Sequence, residues 1–285
     1  QCRRARYIWQ RIKSRIQGVG FLVVTSRQNK IVRKVKRLMT DSGLRRKEGL
    51  FAIEGMRLCI DAALSGVKIR TLLYTEQAAP KLGILRDTSD QAIEISPCVS
   101  KAISETTTPQ GVFCICELLD NRLGLDTIIN NPNPKTGYLA LENLRDPANM
   151  GTIIRTAEAF GIDCLLISDG CCDIYNPKVL RGSMGGVFRQ PIVSVGDMTS
   201  AVKRLIGSGI ECFACVAGQD AVLLQNAIKS GCVCVIGNEG NGLKPETAAA
   251  CSKRITIPMT GRAESLNAAM AAGIVMWEMS KGLRG

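Results

Sequence analysis

YLALENLRDPANMGTIIRTAEAFGIDCLLIS, residues 138 to 168, decides how this chain is read. The apolar run YLAL passes into a polar loop carrying Asn143, Arg145, Asp146, Pro147 and Asn149, a helix is expected from about Gly151 to Phe160, and CLLIS follows as a second apolar strand. Apolar strands without polar alternation, joined by a helix, belong to a parallel sheet covered on both faces. The pattern continues outward. It predicts a helix near Pro177 to Met184, strand PIVSV, a helix over 199 to 206, strand ECFACV, a helix near 221 to 228, strands CVCVIG and RITIP, and a last helix from about Ser265 to Lys281. The expected fold class is α/β. A dinucleotide-dependent oxidoreductase is disfavoured, because no G-x-G-x-x-G separates the first strand from its helix.

Upstream lies a smaller α/β unit. A strand-like VVTS after Phe21 leads into a helix, Asn29 to Met39, with Ile31, Val32, Val35 and Leu38 on one side and Arg33, Lys34, Lys36 and Arg37 on the other. LFAIEG (50 to 55) reads as a strand, MRLCIDAALSG as a helix closed by Gly66, and IRTLLYT and GVFCICEL (111 to 118) as strands. Asn130, Asn131, Pro132, Asn133 and Pro134 then form a connector that continues neither helix nor strand. The expected organisation is an extension over 1–20, a domain over 21–117, a linker over 118–136 and a domain over 137–285. The extension is acid-free, with Ile8, Ile12 and Ile16 at helical spacing, and is expected to be poorly ordered; a phosphate-binding helix and an organelle-targeting peptide remain open, as does the true start of a chain that begins with Gln.

The net charge of +12 is concentrated at one end: residues 1 to 50 carry +13 and the remainder −1. Such density, with Arg45, Arg46 and Lys47 adjacent, suits neutralisation of nucleic-acid phosphates. No apolar run is long enough for a membrane span, so the expectation is a cytoplasmic protein. Most of the 13 cysteines lie in apolar, strand-like stretches and read as buried free thiols. Cys212, Cys215, Cys232 and Cys234 lack zinc-knuckle spacing, and no metal is expected. Histidine is absent, which removes the commonest general base and the Ser-His-Asp arrangement.

Three strings stand in order in the second half: NLRDPANMGTIIR (143 to 155), IGNEGNGL (236 to 243) and IPMTGRAESLN (257 to 267). Together they resemble the three motifs of the SpoU (TrmH-like) branch of the SPOUT methyltransferases. The first unit, with its basic SRQNKIVRKVKRL opening and FAIEG, is similar to the L30e-like RNA-binding domain that precedes the catalytic domain in many such enzymes. The resemblance implies a parallel-sheet SPOUT domain with a deep trefoil knot, a homodimer formed through it, and transfer of methyl from S-adenosyl-L-methionine to an RNA ribose 2'-hydroxyl. Ribosomal RNA is the expected substrate, 23S-type with guanosine favoured. A transfer RNA enzyme and a catalytically silent RNA-binding or assembly protein are the alternatives.

By the same resemblance Asn149, Arg155, Glu239, Ser265 and Asn267 would form the catalytic set. Ala217, Gly218, Gly237, Asn238, Gly240, Ile257, Met259 and Leu266 would hold the cofactor. Arg33, Lys34, Arg37, Arg45, Arg46, Lys47 and Arg145 are the candidate RNA contacts. A guanidinium keeps its proton at any ordinary pH, so Arg155 is expected to work with an RNA phosphate, orienting the hydroxyl and stabilising developing alkoxide. Read without the motif, Arg155 would pair with Glu158, and Ser265 would cap the last helix.

Overall fold

The basic helix forms as α1, Lys30–Thr40, because Asn29 accepts the Ile31 N–H at 2.9 Å and satisfies one of its free donors. Asp41 ends α1 and caps α2, Ser42–Glu48, by accepting from the Leu44 N–H at 2.9 Å. Gly49, at φ 65°, turns the chain into strand β1, Leu50–Glu54. This computed structural model describes residues 23–119, 124–130, 135–218, 220–228 and 231–281. The expected extension over 1–20 and parts of the expected linker lie outside the described residues.

Helix α3 (Met56–Leu64) follows β1, and the first sheet is completed by β2 (Ile69–Tyr74), β3 (Ala92–Glu94) and β4 (Val112–Glu117) in the order β1-β4-β2-β3. β4 runs antiparallel to both neighbours, and β3 is parallel to β2. The sequence reading missed β3 and the short helices α4 (Ile84–Thr88) and α5 (Pro97–Ile103), whose lengths are too small to display a period. It also made VVTS a strand, whereas Val24 forms a single bridge to Ile95. The connector holds a helix, α6 (Leu125–Asn130), because Leu125 and Ile128 are buried in a core cluster of the second domain.

The second sheet has seven strands: β5 (Tyr138–Leu141), β6 (Cys164–Ser168), β7 (Ile192–Gly196), β8 (Cys212–Cys215), β9 (Val222–Leu223), β10 (Val233–Ile236) and β11 (Lys253–Thr256). Their order is β7-β6-β5-β10-β8-β11-β9, and each neighbouring pair is parallel. Every residue of β5 and β10 is buried. Leu141 stands opposite Ile236, and Cys215 opposite Ile255. The carboxyl ends of four strands therefore open onto one edge of the sheet, where ligands of parallel sheets bind.

The helices are α7 (Pro147–Phe160), α8 (Pro177–Gly182), α9 (Met198–Gly207), α10 (Leu224–Ala227), α11 (Pro245–Ala250) and α12 (Ala268–Ser280). Three differ from expectation. α7 begins at Pro147 rather than near Gly151, because the Asp146 carboxylate accepts the Ala148 N–H at 2.8 Å and Pro147 is preset for a first helical position. α12 begins at Ala268, capped by Asn267 and not by Ser265. The expected helix over 221 to 228 is β9 followed by the four-residue α10.

α7 and α8 cross at glycine on glycine. A Cβ added to Gly151 would lie 2.9 Å from the Gly182 Cα and 2.9 Å from the Val179 carbonyl oxygen, so the contact excludes any side chain. The two domains share one core cluster. Phe51 of β1 packs on Tyr175 at 4.7 Å between ring centroids and lies near Phe188, and the Tyr175 hydroxyl accepts the Leu119 N–H at 3.0 Å.

Candidate active site

Each of the three motif loops leaves the carboxyl end of a strand or opens a helix at the same sheet edge, and a run of side-chain hydrogen bonds ties them together. Glu239, in the loop after β10, is the hub. Its carboxylate accepts the backbone N–H of Asp146 at 2.9 Å, the N–H of Arg145 at 3.2 Å, and the side-chain amides of Asn149 and Asn238, each at 3.2 Å. It thus anchors the two residues that lead into α7, beside a helix start where a negative charge is also favoured by the helix dipole. Burial pushes the Glu239 carboxyl up, but the backbone N–H groups of Asp146, Glu239 itself and Arg145, with the Asn149 amide, outweigh it and hold the group below its ordinary value.

Asn149 is the second link. It is buried in the first turn of α7 rather than exposed in a loop, and its Oδ1 accepts from the Asn267 Nδ2 at 2.9 Å. Asn267 accepts in turn from the Ala269 and Met270 N–H groups at the start of α12. Asn238 closes the loop on itself: its Oδ1 accepts from Gly240 and Asn241, and its Nδ2 donates to the Asn143 carbonyl at 2.8 Å. Asn143 holds φ 56°, a left-handed conformation that few residues other than Gly and Asn adopt readily.

Beside this network opens a cavity of about 840 Å³. Its walls are the loop after β8 (Val216 and Ala217), the glycine-rich loop after β10, and the segment between β11 and α12. Ile236, Ile257, Leu266 and Val275 make an apolar face, and Glu239 and Ser265 give polar groups at the side toward Asn149 and Asn267. The size and the mixture of apolar wall, exposed loop backbone and few polar side chains fit a nucleoside-sized ligand such as S-adenosyl-L-methionine.

Residues 137–277 match the SpoU rRNA Methylase family, and residues 29–114 match the MRM3-like substrate binding domain. A solved structure of an AdoMet-bound rRNA methyltransferase from Sinorhizobium meliloti is 31% identical, with a TM-score of 0.79 over 90% of this chain and 96% of that one. The chain belongs to the SpoU rRNA methylase family. It is an RNA methyltransferase by that membership. Among curated relatives, the 23S rRNA (guanosine(2553)-2'-O)-methyltransferase RlmP of Bacillus subtilis is 28% identical over 90% of this chain and 98% of its own. The mitochondrial rRNA methyltransferase 3A of Danio rerio is 28% identical over 93% of this chain and 71% of its own.

In this SpoU chain the structure brings together Asn149, Glu239 and Asn267, and sets Ser265 in the wall of the adjoining cavity. Of the expected cofactor residues, Ala217, Gly237, Asn238, Gly240, Ile257, Met259 and Leu266 line the cavity, whereas Gly218 does not, because the wall ends at Ala217. Arg155 is not part of the network. It is exposed six residues along α7 from Asn149, about 9 Å further down the helix axis, and its Cα packs near Gly186. It does not pair with Glu158, which binds Arg189 at 2.9 Å.

The basic candidates divide. Arg33, Arg46, Lys47 and Arg145 are exposed. Lys34 pairs with Glu48 at 2.6 Å, and Arg37 with Asp41 at 3.6 Å. Arg45 must be removed from the RNA-contact set, because its side chain is buried and spent on Asp173 and the Leu38 carbonyl. Glu142 was missed. Buried at the end of β5, it accepts the Lys244 N–H at 2.8 Å and the Thr247 hydroxyl at 2.7 Å, fixing the far end of the glycine-rich loop. A lone carboxylate closing an otherwise apolar strand was the signal. Cys212 and Cys215 lie three apart in one strand and so face opposite sides of the sheet, and among the described residues no cluster of metal-ligating side chains forms.

Proposed function

We propose that this protein transfers a methyl group from S-adenosyl-L-methionine to a ribose 2'-hydroxyl of ribosomal RNA, with a guanosine of 23S-type RNA as the favoured target. The observation that carries the reading is the Asn238–Glu239–Asn149–Asn267 chain at the rim of a nucleoside-sized cavity, because it joins all three motif loops at one point. The name of the Bacillus subtilis relative supports the ribose, the guanosine and the large ribosomal RNA.

When bound, the cofactor supplies a methyl already activated on a sulfonium, so positioning accounts for much of the catalysis. The protein residues then have distinct tasks. Ile236, Ile257, Leu266 and the loop backbone around Gly237 hold the cofactor. Glu239 has its carboxylate oxygens occupied by four donors and sits below its ordinary value, so it positions Asn149 and the start of α7 instead of accepting the hydroxyl proton. Arg155, exposed and unpaired with Glu158, grips an RNA phosphate and steadies charge developing on the 2'-oxygen.

The protein acts as a homodimer: Met270, Ile274 and Trp277 recur along one exposed face of α12 at 62%, 37% and 43% exposure, a stripe suited to a second copy. The trefoil threading of the C-terminal domain belongs to the same proposal, as do the division 21–117, 118–136 and 137–285 and a cytoplasmic location. Incubation with methyl-labelled cofactor and separated ribosomal and transfer RNAs, followed by mapping of the label, tests the activity. Label on a 2'-oxygen of ribosomal RNA is expected. Label on a base, only on transfer RNA, or on no RNA overturns it.

A further inference from the structure

A second cavity, of about 360 Å³, lies between the two domains and shares no residue with the cofactor cavity. Arg57, Asp61 and Gln110 of the first domain face Arg181 and Met184 of the second across it. Among the described residues neither Arg57 nor Arg181 forms an ion pair, which sets them apart from Arg37, Arg45, Arg70 and Arg189.

The walls of the cleft are fixed. The Glu54 carboxylate accepts from the hydroxyls of Ser104 and Thr106 and from the Glu105 N–H at 2.9 Å, pinning the loop that leads to Gln110. The Gln110 Oε1 accepts the Met56 N–H at 2.8 Å, which turns its amide nitrogen toward other acceptors. Met184 holds φ 49° with its side chain 39% exposed, an uncommon combination of backbone strain and a displayed thioether. The next residues join the cleft to the catalytic side. A Cβ on Gly185 would lie 2.7 Å from the Asp61 carboxylate, and one on Gly186 would lie 3.3 Å from the Arg155 Cα.

Two unpaired guanidinium groups suit a phosphate, an exposed thioether suits the face of a base, and Gln110 with Asp61 offers a donor and an acceptor to a base edge. We propose that this cleft takes one unpaired nucleotide of the RNA substrate, a neighbour of the methylated one, flipped out of the strand. The proposal rests on the methyltransferase reading and adds a specificity site to it. A base within an A-form duplex cannot enter such a cleft, so the substrate segment is single-stranded where it binds.

The test uses the full chain with single-stranded 12-mer RNAs carrying 4-thiouridine, and the ribosomal RNA that the protein methylates. Photo-cross-links are expected on the peptides bearing Met184 or Thr106 to Gln110. The Arg57→Ala, Arg181→Ala double variant should raise KM for RNA at unchanged kcat and cofactor affinity, and lower the slope of log K against log salt by about 0.7, one single-strand phosphate contact. Arg181→Lys should recover most of the loss, which separates a phosphate contact from damage to the fold. Methylation of ribosomal RNA with unchanged KM and salt slope in the double variant overturns this inference alone. A wild-type protein that methylates no RNA overturns the parent reading and this inference with it. An acidic peptide that competes with the cross-linking RNA for the cleft and binds it at least about tenfold more tightly than the RNA does assigns the cleft to a protein partner and overturns it as well.

Discussion

The guanidinium of Arg45, in the first domain, donates from Nε at 2.8 Å and from Nη2 at 2.6 Å to a single carboxylate oxygen of Asp173, in the second. Its remaining nitrogen reaches the Leu38 carbonyl at 2.6 Å, and Asp173 is further held by the Tyr175 N–H at 2.9 Å. The pair sits where the domains meet, next to the Phe51–Tyr175 contact. Arg45→Met leaves the Asp173 carboxylate, a quarter of it open to solvent, with only the Tyr175 N–H, so it should cost about 2 kcal/mol of unfolding free energy in urea titrations, the range for a lost hydrogen bond to a charged group. RNA affinity measured well below the melting temperature should change far less than for Arg46→Ala, which removes an exposed charge.

The acid limb of stability carries a signature of Glu239. Its carboxyl is held below the ordinary 4.5, so on acidification the unfolded chain takes up this proton before the folded one does. Its contribution is complete above the unfolded value and drains away as pH falls through the folded one. Glu239→Gln should therefore be less stable than wild type near neutrality, with the gap narrowing between pH 5 and pH 3 in denaturant titrations, about the range of an ordinary carboxylate. A gap independent of pH would show that the charge on Glu239 contributes nothing.

Asn267 has two separable tasks, capping α12 and holding Asn149. Asn267→Ser retains a good cap but cannot span to Asn149, so thermal stability should stay within about 0.5 kcal/mol of wild type while methyl transfer falls at least about tenfold. Asn267→Ala should lose a further 1 kcal/mol or so from the cap. Equal activity in wild type and the serine variant would remove the Asn149 contact from the mechanism.

Arg155→Lys keeps a positive charge and loses the planar fork. It should bind RNA nearly as well as wild type and lower kcat about a hundredfold in single-turnover methylation, with cofactor binding unchanged. Near-wild-type turnover would exclude the role assigned to Arg155.

Ile274→Glu places a charge in the exposed stripe of α12 without touching the cofactor cavity. Sedimentation should show a dimer for wild type and a monomer for the variant at micromolar concentration. A wild-type monomer would leave the stripe without its proposed partner.

Much of the architecture was legible because the strands of the second domain are continuous apolar runs, and β5 and β10 are buried along their whole length. Element starts were harder. α7 was placed late because Pro147 and the polar Asn149 look like loop, and only the capping bond from Ala148 to Asp146 shows that the helix begins before them. The hub role of Glu239 was illegible for a related reason: its partners are backbone N–H groups of Arg145 and Asp146, and backbone donors leave no mark on side-chain identity. Arg45 misled in the opposite direction. It stands in a basic run with Arg46 and Lys47, but helical geometry turns it inward while its neighbours face solvent. The stripe on α12 was hidden because that helix is apolar nearly all round, so no contrast in the sequence separates its buried face from its displayed one.

The glycine contact between Gly151 and Gly182 makes α7 and α8 a single lever. One end of that lever is fastened to the cofactor loop through Glu239, and the other carries Arg181 and the turn leading to Met184. A residue larger than glycine at either position would therefore disturb both ends at once, the loop that lines the cofactor cavity and the Arg181 wall of the interdomain cleft.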